Sequence, residues 1–474
     1  MTEITLTPAI ELAQRVKRKE ISAVELLELH LQRYQQHNPA INAVIFTQID
    51  HAYEQAQAAD EAVTRGKTTG PLHGVPMTIK DSYDWIGSPS TWGMPEMIDN
   101  YPEVNAVAVQ RLLDAGAIIY GKSNVPLKLS DWQSFNEIYG ITNNPWDPTR
   151  TPGGSSGGAA AALATGMASL EIGSDIGASI RGPAHFCGVY GHKPTMGIVP
   201  LQGHLLPGDT AHEDILVGGP LARSAGDLKL ALDILAGPTG ELEKAWQFQL
   251  PPPRKNNLTE FKVGVLMKSP VCAQDEELTD QLLDTVAVLE KAGVQIDYAA
   301  DPGFDWRRYH EVYLLLLRAT TSASYTDEEF EFHRQSAAAR KPDDTRYRAY
   351  LDRGITIRHR DWWMLHDERE QMRLRWRAFF EHYDLLLCPV AASAAFVHDH
   401  LGERPDRTID INGQQELVVD QLFWAGLSSV AYLPSTVVPA GLTRAGLPCG
   451  LQLIAPYLED NTAIQFAQLM EDVV

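Results

Sequence analysis

Short apolar segments of strand length alternate along this 474-residue chain with longer helical patterns. Five strand-like segments are GVPMTIKD (74–81), AIIYGK (117–122), FKVGVLM (261–267), YDLLLCPV (383–390) and LPCGLQLIAP (447–456). Strands interleaved with helices are typical of α/β folds. At roughly 150 residues per domain the length suggests about three domains, and a single large α/β unit also fits.

Helical patterns occupy the N-terminus and a later charged region. From about residue 7 to 65 the pattern is helical, with Ser22 as N-cap, Glu25 three residues on, and a strand-like interruption at 43–46. Residues 326–383 are charged, rich in Arg and Trp, and helical. We expect this later segment to cover part of the core.

Charge and cysteine content exclude several classes of protein. The formal net charge is −21, and so acidic a protein repels phosphate, which makes nucleic acid and anionic membranes poor partners. No apolar run approaches the ~20 residues of a membrane span, and the N-terminus lacks the apolar stretch of a signal peptide. The four cysteines lie far apart without a CxxC, which offers neither a disulfide framework nor a thiolate zinc site. We therefore expect buried reduced thiols and a cytoplasmic location, while nothing in the sequence predicts an oligomeric state.

A glycine-rich segment, NNPWDPTRTPGGSSGG (143–158), opens directly into the alanine-rich AAAALATGMASL. Alanine has the highest helix propensity, so this pattern indicates a glycine loop that feeds a helix N-terminus. The loop could be a flexible linker, a phosphate cradle, a catalytic loop or a simple helix cap. A linker does not fit between a Pro-Trp segment and a helix, and the P-loop pattern is absent because no lysine follows these glycines.

Two further positions carry candidate chemistry, each with a structural alternative. Lys80 ends the segment at 74–81; it is either a surface lysine or a buried one whose pKa, ordinarily ~10.4, is lowered enough for it to act as a base. Ser179 lies in SDIGASIR (174–181), where small residues let backbone N–H groups converge as an oxyanion hole requires; the alternative is a tight structural turn. The GxSxG elbow is excluded because Arg181 stands where its second glycine would be.

The histidines offer no clear base or metal site. His185 and His192 follow Ser179 closely, and the triplet HDH (398–400) invites a metal interpretation. No HExxH pattern is present, so we interpret these histidines as core or surface residues. The sequence favours chemistry without a metal or another cofactor.

The order of these motifs resembles the amidase signature family. Lys80 is followed by GGSSGG and then by SDIGASIR, and 24 residues separate Ser155 from Ser179, as in that family. The sequence from TPGGSSGG to GHKPT is similar to that family over roughly 50 residues. Two further segments are also similar to it: SAVELLELHLQRYQQHNPAINAV near the N-terminus and AGLPCGLQLIAP near the C-terminus. The resemblance spans most of the chain and is weakest between about 205 and 385.

The resemblance implies a fold for the whole chain. We expect a single large α/β domain over 1–474, with a central mixed β-sheet flanked by helices and a helical covering subregion. Within it, residues 70–200 would form the signature core and about 258–385 the variable, partly helical cover. Residues 386–474 would return to the core sheet.

The resemblance also implies a set of site residues. Ser179 matches the nucleophile, Ser155 the serine that relays the proton and is associated with a cis peptide bond, and Lys80 the base. Gly153 and Gly154 would relieve crowding beside Ser155. The oxyanion hole would be formed by the backbone N–H groups of Ile176, Gly177, Ala178 and Ser179.

The chain departs from the family pattern at one of these positions. The family usually has Gly-Gly-Ser before Ile-Arg, and here Ala178 replaces the second glycine. If this position needs a positive φ, alanine costs about 1 kcal/mol there, and its Cβ could narrow the acyl side of the site. The flanking Asp175 and Arg181 we interpret as structural residues that pair or bond the backbone.

The pocket should be lined by segments outside these motifs. By position, Leu129 and Ser130 should approach the scissile group, and residues 314–325 could form an apolar tunnel for an acyl or aryl group. Three nearby aromatic residues would suit a hydrophobic amide or simply pack in the core: Trp132, Phe135 and Tyr139.

Three functions remain open from the sequence. The first is a free-standing hydrolase of apolar or aryl amides, extending to carbamates and esters, whose partners would be a small-molecule amide or carbamate and water. The second is the amide-hydrolysing component of a glutamine-dependent tRNA amidotransferase, which works only with partner chains, although the stretch after Thr195, MGIVPLQGHLLPGD, looks unlike that component. The third is a non-catalytic binding relative, which the presence of all three catalytic residues disfavours.

Overall fold

The β-strands form one large sheet and smaller ones beside it. The computed structural model describes residues 4–68 and 70–474. Within these ranges the strands are β1 (Val44–Thr47), β2 (Pro76–Lys80), β3 (Ile118–Ser123), β4 (Phe135–Asn136), β5 (Gly140–Ile141), β6 (Glu171–Asp175), β7 (Tyr190–Lys193), β8 (Val217–Ala222), β9 (Lys262–Val265), β10 (Gln295–Asp297), β11 (Leu385–Pro389), β12 (Thr408–Ile411), β13 (Gln414–Leu417), β14 (Ser435–Leu442) and β15 (Pro448–Ile454).

The central sheet is mixed, as expected. Among the described residues it has eight strands in the order β10-β9-β11-β15-β14-β7-β8-β6. The pairs β10/β9 and β9/β11 are parallel, whereas the remaining neighbours in the sheet are antiparallel. A separate sheet joins β1, β3 and β2, in which β2 runs parallel to β3. Every residue of β2, β3 and β6 is buried, because helices or other layers cover both faces.

Helices flank these sheets. In the described residues they are α1 (Ala9–Lys17), α2 (Ala23–Ile41), α3 (Ile49–Thr64), α4 (Val107–Asp114), α5 (Gly157–Ala164), α6 (Arg181–Cys187), α7 (Ala225–Leu235), α8 (Glu276–Lys291), α9 (Trp306–Thr320), α10 (Asp327–Ala339), α11 (Tyr347–Ile355), α12 (His359–Phe379), α13 (Leu422–Ser429) and α14 (Asp460–Met470). The predicted N-cap of α2 is confirmed: Ser22 accepts from the N–H of Glu25, whose carboxylate accepts from the N–H of Ser22.

The region from 258 to 385 contributes to two layers. Strands β9 and β10 extend the edge of the central sheet, so this first part belongs to the sheet itself. The helices from α9 to α12 follow, and side chains such as Tyr309, Tyr313 and Trp376 bury their rings in a second hydrophobic cluster. This cluster also contains Ala178 and Leu422, so it lies directly against the SDIGASIR loop.

Two short helices begin at the ends of the GGSSGG and SDIGASIR segments. The alanine-rich α5 is almost wholly buried, since its small side chains allow close packing on β2, β3 and β6. Helix α6 follows the loop after β6 and packs against β14 and β15. In the described part of the chain, the helices include none that combines the length and the apolar character needed to cross a membrane.

Candidate active site

Lys80 is the last residue of β2 and its side chain is fully buried. Its Nζ lies 2.7 Å from Oγ of Ser155, 3.0 Å from Oγ of Ser156 and 2.9 Å from Oγ of Ser174. The surface-lysine alternative is therefore wrong. The structure brings the predicted base and the predicted relay serine into direct hydrogen-bond contact.

The surroundings of Lys80 shift its proton equilibrium. Burial lowers the pKa of Lys80 to about 7, although the carboxylates of Asp175, Glu171 and Asp81 oppose this shift. Burial also raises the pKa of Glu171 to about 8, against a hydrogen bond that its carboxylate accepts from Thr78. A substantial fraction of Lys80 is thus neutral near pH 7, and a neutral amine has a free lone pair that can take a proton.

The GGSSGG loop approaches neighbouring backbone closely. A cis peptide bond joins Gly154 to Ser155, as the resemblance implied. Gly153 has φ +91°, and a Cβ on it would lie 2.8 Å from Cα of Pro183. A Cβ on Gly154 would collide with the backbone oxygen of Asp131. The expectation that these two glycines relieve crowding is confirmed.

The loop between β6 and α6 is organised by one carboxylate. Asp175 accepts hydrogen bonds from the N–H groups of Ala178 at 3.0 Å and Ile180 at 3.0 Å, and it pairs with the Arg181 guanidinium at 2.8 Å. Burial raises the pKa of Asp175, but the Arg181 charge and these hydrogen bonds outweigh it and hold the pKa below its ordinary value.

Arg181 is anchored on all sides. Besides Asp175, its Nη1 donates to Oγ of Ser428 at 2.9 Å and to Oε1 of Gln452 at 2.8 Å, and its Nη2 donates to Oγ of Ser429 at 2.9 Å. These bonds tie the loop to α13 and β15. The interpretation of Asp175 and Arg181 as structural residues is confirmed.

Ala178 adopts the left-handed conformation that the departure from glycine put in question. Its φ is +73°, a backbone conformation that is strained for alanine because of its methyl group and unstrained for glycine. Its N–H donates to Asp175 and is not available to a substrate. The expectation that Ala178 supplies an oxyanion donor therefore needs correction: this peptide group points at the carboxylate that shapes the loop.

The other three predicted donors are open. In the described residues no hydrogen-bond acceptor is paired with the N–H of Ile176, Gly177 or Ser179. Two buried side chains fix the peptide planes: Oη of Tyr313 donates to the Ile176 carbonyl at 3.0 Å, and Nε1 of Trp132 donates to the Gly177 carbonyl at 2.8 Å. Because N–H and C=O point in opposite directions across a trans peptide, the bond from Tyr313 sets the direction of the open Gly177 N–H. The bond from Trp132 sets the direction of the Ala178 N–H, which Asp175 accepts.

A backbone hydrogen bond connects Ser179 to the GGSSGG loop. The N–H of Ser156 donates to the Ser179 carbonyl at 3.1 Å, which brings the GGSSGG loop against the loop that carries Ser179. In residues 4–68 and 70–474 no hydrogen bond joins the Ser155 and Ser179 hydroxyl groups directly. Ser179 itself faces a cavity.

This cavity has a volume of about 320 Å³. Leu129 and Ser130 line it, as predicted, together with Trp132, whereas Phe135 and Tyr139 do not. Leu129 has φ +54°, a strained value of the kind that clusters at functional sites.

The far wall of the cavity comes from the covering layer. Within 314–325 it is lined by Leu317, Arg318, Thr321, Ser324 and Tyr325. The prediction that this segment contributes to the pocket is confirmed, and its lining is mixed, with polar and charged side chains beside apolar ones. Charged residues line it as well: Lys128, Asp131, Glu213, Arg318, Glu329 and Arg404.

The histidines and cysteines lie outside this cavity. His185 is buried and bonds the Ser393 carbonyl at 3.0 Å, and His192 is buried against Thr436 at 2.9 Å. The interpretation of these two as core residues is confirmed. All four cysteines are buried and free, as expected.

Sequence reasoning missed several residues that shape the site. Ser156 and Ser174 hold the second and third hydrogen bonds of Lys80; both stand within the quoted motifs, so their hydroxyl groups were a usable signal. Tyr313 lies more than a hundred residues from the loop that it contacts, and no local pattern marks it.

Comparison with known proteins gives consistent matches over the whole chain. The family model described as Amidase matches residues 25–464. An acylamidase of Rhodococcus erythropolis is 32% identical over 487 residues, covering 100% of this chain and 97% of that protein. An indoleacetamide hydrolase of Bradyrhizobium diazoefficiens is 30% identical over 479 residues, covering 98% of this chain and 86% of that protein. The crystal structure of a bacterial aryl acylamidase of the amidase signature enzymes matches with a TM-score of 0.82 at 25% identity, covering 98% of this chain and 96% of that one.

A glutamyl-tRNA(Gln) amidotransferase chain is also among the relatives. The chain from Trichodesmium erythraeum is 28% identical over 484 residues, which covers 97% of this chain and 96% of that one.

Proposed function

The chain belongs to the amidase signature family of amide-hydrolysing enzymes, and on that premise we propose that it cleaves carboxylic amides through a covalent acyl-enzyme on Ser179. The observation that carries the proposal is the buried Lys80, whose Nζ lies 2.7 Å from Oγ of Ser155 beside the cavity that Ser179 faces. A serine hydroxyl is a weak nucleophile until a base removes its proton, and this arrangement supplies the base.

The proton relay starts at Lys80. In the neutral form its lone pair accepts the proton of the Ser155 hydroxyl, while its two N–H bonds donate to Ser156 and Ser174. Ser155 in turn takes the proton of Ser179, so that Oγ of Ser179 attacks the substrate carbonyl. The direct contact between the Ser155 and Ser179 hydroxyl groups would form when a substrate draws Ser179 into position.

The oxyanion that forms in this attack needs preorganised donors. The N–H groups of Ile176, Gly177 and Ser179 are open, and Tyr313 holds the peptide group of the Gly177 N–H in place. A preorganised donor is worth about 3 kcal/mol in other enzymes. Collapse of the tetrahedral intermediate breaks the C–N bond, and the relay returns a proton to the departing amine. Water then attacks the Ser179 ester, releases the carboxylic acid and restores the serine.

The substrate class we propose is amides with apolar or aryl groups, extending to carbamates and esters. The cavity of about 320 Å³ is at the small end of ligand sites, and Trp132, Leu317 and Leu422 give it apolar surface. A carbamate carbonyl presents the same atoms to Ser179 and would use the same relay. The name of the Rhodococcus relative, acylamidase, supports amides as the first class to test.

The amide-hydrolysing component of a tRNA amidotransferase is the second candidate function. The match to the Trichodesmium chain over 97% of this chain favours it. Such a component would be inactive as a free-standing hydrolase of aryl amides. A non-catalytic binder, the third possibility, would have no need of a buried neutral lysine next to three serines.

The test is amine release from an aryl anilide, the corresponding aryl carbamate and a primary amide, using the purified chain alone. Release that disappears in Ser179→Ala supports the proposal, and the order of the three rates sets the substrate class. Ser22→Ala, at the N-cap of α2 and outside the cavity, serves as the matched control and should retain turnover. No release from any of them would contradict a free-standing hydrolase and favour the amidotransferase component.

A further inference from the structure

A buried cation in the cavity, Arg318, has no counter-ion among the described residues. Arg318 lies near the C-terminal end of α9, is 7% exposed and lines the same cavity as Ser179. In the described ranges no carboxylate lies within 4.0 Å of its guanidinium. A buried charge is costly unless it is paired, so an unpaired arginine in a cavity calls for a ligand.

Only some of the N–H donors of the Arg318 guanidinium have a hydrogen-bond partner in the protein. Its Nη2 donates to the hydroxyl group of Tyr347, and the group lies 5.5 Å from the centre of the Tyr347 ring. Its Nε has no hydrogen-bond partner, although the atom is buried. Over the residues that the structure describes, Nη1 has no partner either. Each edge of a guanidinium that matches a carboxylate combines one N–H of Nη2 with an N–H of either Nε or Nη1. Tyr347 accepts from only one of the two N–H bonds of Nη2, so one such edge stays open.

The acidic residues that line the cavity do not neutralise Arg318. Asp131 pairs with Arg407 at 2.5 Å, and Glu329 accepts from the backbone and hydroxyl of its own helix cap, Thr326. Burial, together with the neighbouring Asp209, raises the pKa of Glu213 to about 7. None of the three forms an ion pair with Arg318 in the described residues.

A second arginine adds positive charge on the same side. Arg404 also lines the cavity, and its Nη1 donates to the Ser130 carbonyl at 3.0 Å. Both Arg318 and Arg404 are near enough to Tyr313 to lower the pKa that burial raises on its hydroxyl. Two cations thus converge above the loop that carries Ser179.

We propose that the substrate carries a carboxylate, which Arg318 binds at the end of the cavity away from Ser179. This inference rests on the proposed hydrolysis at Ser179 and narrows its substrate class. Tyr313 touches the oxyanion loop, and Arg318 lies five residues later on α9, about 7.5 Å further along the helix axis. A carboxylate several bonds from the scissile carbonyl therefore fits the site.

The test compares matched substrates with and without the charge. On the amine side these are 4-acetamidobenzoate and its neutral analogue 4-acetamidobenzamide; on the acyl side they are glutaric acid monoanilide and pentananilide. In one of the two pairs kcat/KM should be at least about 10-fold higher for the carboxylate. Equal or lower values for the carboxylate in both pairs, with the neutral amides hydrolysed, would overturn the inference and leave the proposed function intact.

Substitutions of Arg318 test whether this residue causes the preference for substrates with a carboxylate. In Arg318→Gln the preference should fall by about 10- to 100-fold, whereas kcat/KM for the neutral partner should change little. Arg318→Lys keeps a charge without the fork and should give an intermediate preference. Arg358→Gln, an exposed arginine before α12, is the matched control and should keep the full preference. A preference unchanged in Arg318→Gln contradicts the inference.

Binding separates this inference from the proposed function. Calorimetry of 4-acetamidobenzoate and glutaric acid monoanilide with Ser179→Ala measures recognition without turnover, and adding Arg318→Gln should weaken the binding of one of them by a similar factor. If no amide is hydrolysed but this loss is found, the hydrolase proposal fails and the carboxylate site stands. If neither carboxylate binds, or if both bind equally with and without Arg318, the carboxylate site fails.

Discussion

Activity should rise with pH as Lys80 loses its proton. Only neutral Lys80 can start the relay, and burial lowers the pKa of this lysine to about 7. Below that pH the neutral fraction falls tenfold per unit, so kcat/KM should increase about 10-fold from pH 6 to pH 8 and then level off. A lysine with the ordinary pKa of ~10.4 would instead give a rate still rising at pH 9.

Substitution of Glu171 tells whether Lys80 or Glu171 is the group whose titration changes the rate. Burial raises its pKa to about 8, so it changes charge in the same range as Lys80. If Lys80 is the titrating base, Glu171→Gln keeps the rise of kcat/KM with pH. The midpoint of that rise stays or moves to lower pH, because the substitution removes a carboxylate that favours the charged lysine. If Glu171 were responsible, the rise would disappear in this variant.

The assay is kcat/KM for an aryl anilide between pH 5 and 9 at constant ionic strength, with folding checked at each pH. Lys80→Ala should lose about 100- to 10,000-fold in kcat/KM, the usual contribution of general base catalysis, and its residual rate should lack the rise. A wild-type rate that is flat between pH 6 and 9 would refute Lys80 as the titrating base.

Three further substitutions test other contacts. Ala178→Gly should stabilise the fold by about 1 kcal/mol because it removes the strain at positive φ, and a lower denaturant midpoint would contradict this. Asp175→Asn leaves the buried charge of Arg181 unpaired and should cost about 3–5 kcal/mol in the free energy of unfolding, measured by urea titration; a loss below 1 kcal/mol would be evidence against the pair as the anchor of the loop. Tyr313→Phe removes the hydrogen bond to the Ile176 carbonyl and should lower kcat about 10-fold with KM little changed, whereas an unaltered kcat would show that this bond does not orient the donors.

Local patterns predicted the elements that carry local signals. The capping box of α2, the buried strand ending in Lys80 and the alanine helix after the glycine loop each depend on residues within a few positions of one another. Their order also predicted which loops meet, because the resemblance placed Ser155 and Ser179 with Lys80. In the structure a hydrogen bond joins Lys80 to Ser155. The loops that carry Ser155 and Ser179 are joined by a backbone hydrogen bond.

Contacts between distant segments could not be predicted in this way. Tyr313 and Trp132 bond the carbonyls of Ile176 and Gly177 from other parts of the chain, and their periodicity is that of ordinary core residues. Arg318 stands in the apolar run LLLLRATT, where sequence alone predicts an apolar wall rather than a cation. The use of the Ala178 N–H by Asp175 depends on the turn of the backbone, which the composition of the loop does not specify.

The most direct test of the proposed chemistry is to trap the acyl group on the protein. The enzyme is mixed with an aryl ester or carbamate, quenched in acid within the first turnover, and measured by intact mass spectrometry and peptide mapping. We predict a mass increase of one acyl group, located on the peptide that contains Ser179 and absent in Ser179→Ala. Turnover with the acyl group on another residue, or with an adduct that persists in Ser179→Ala, would contradict the mechanism.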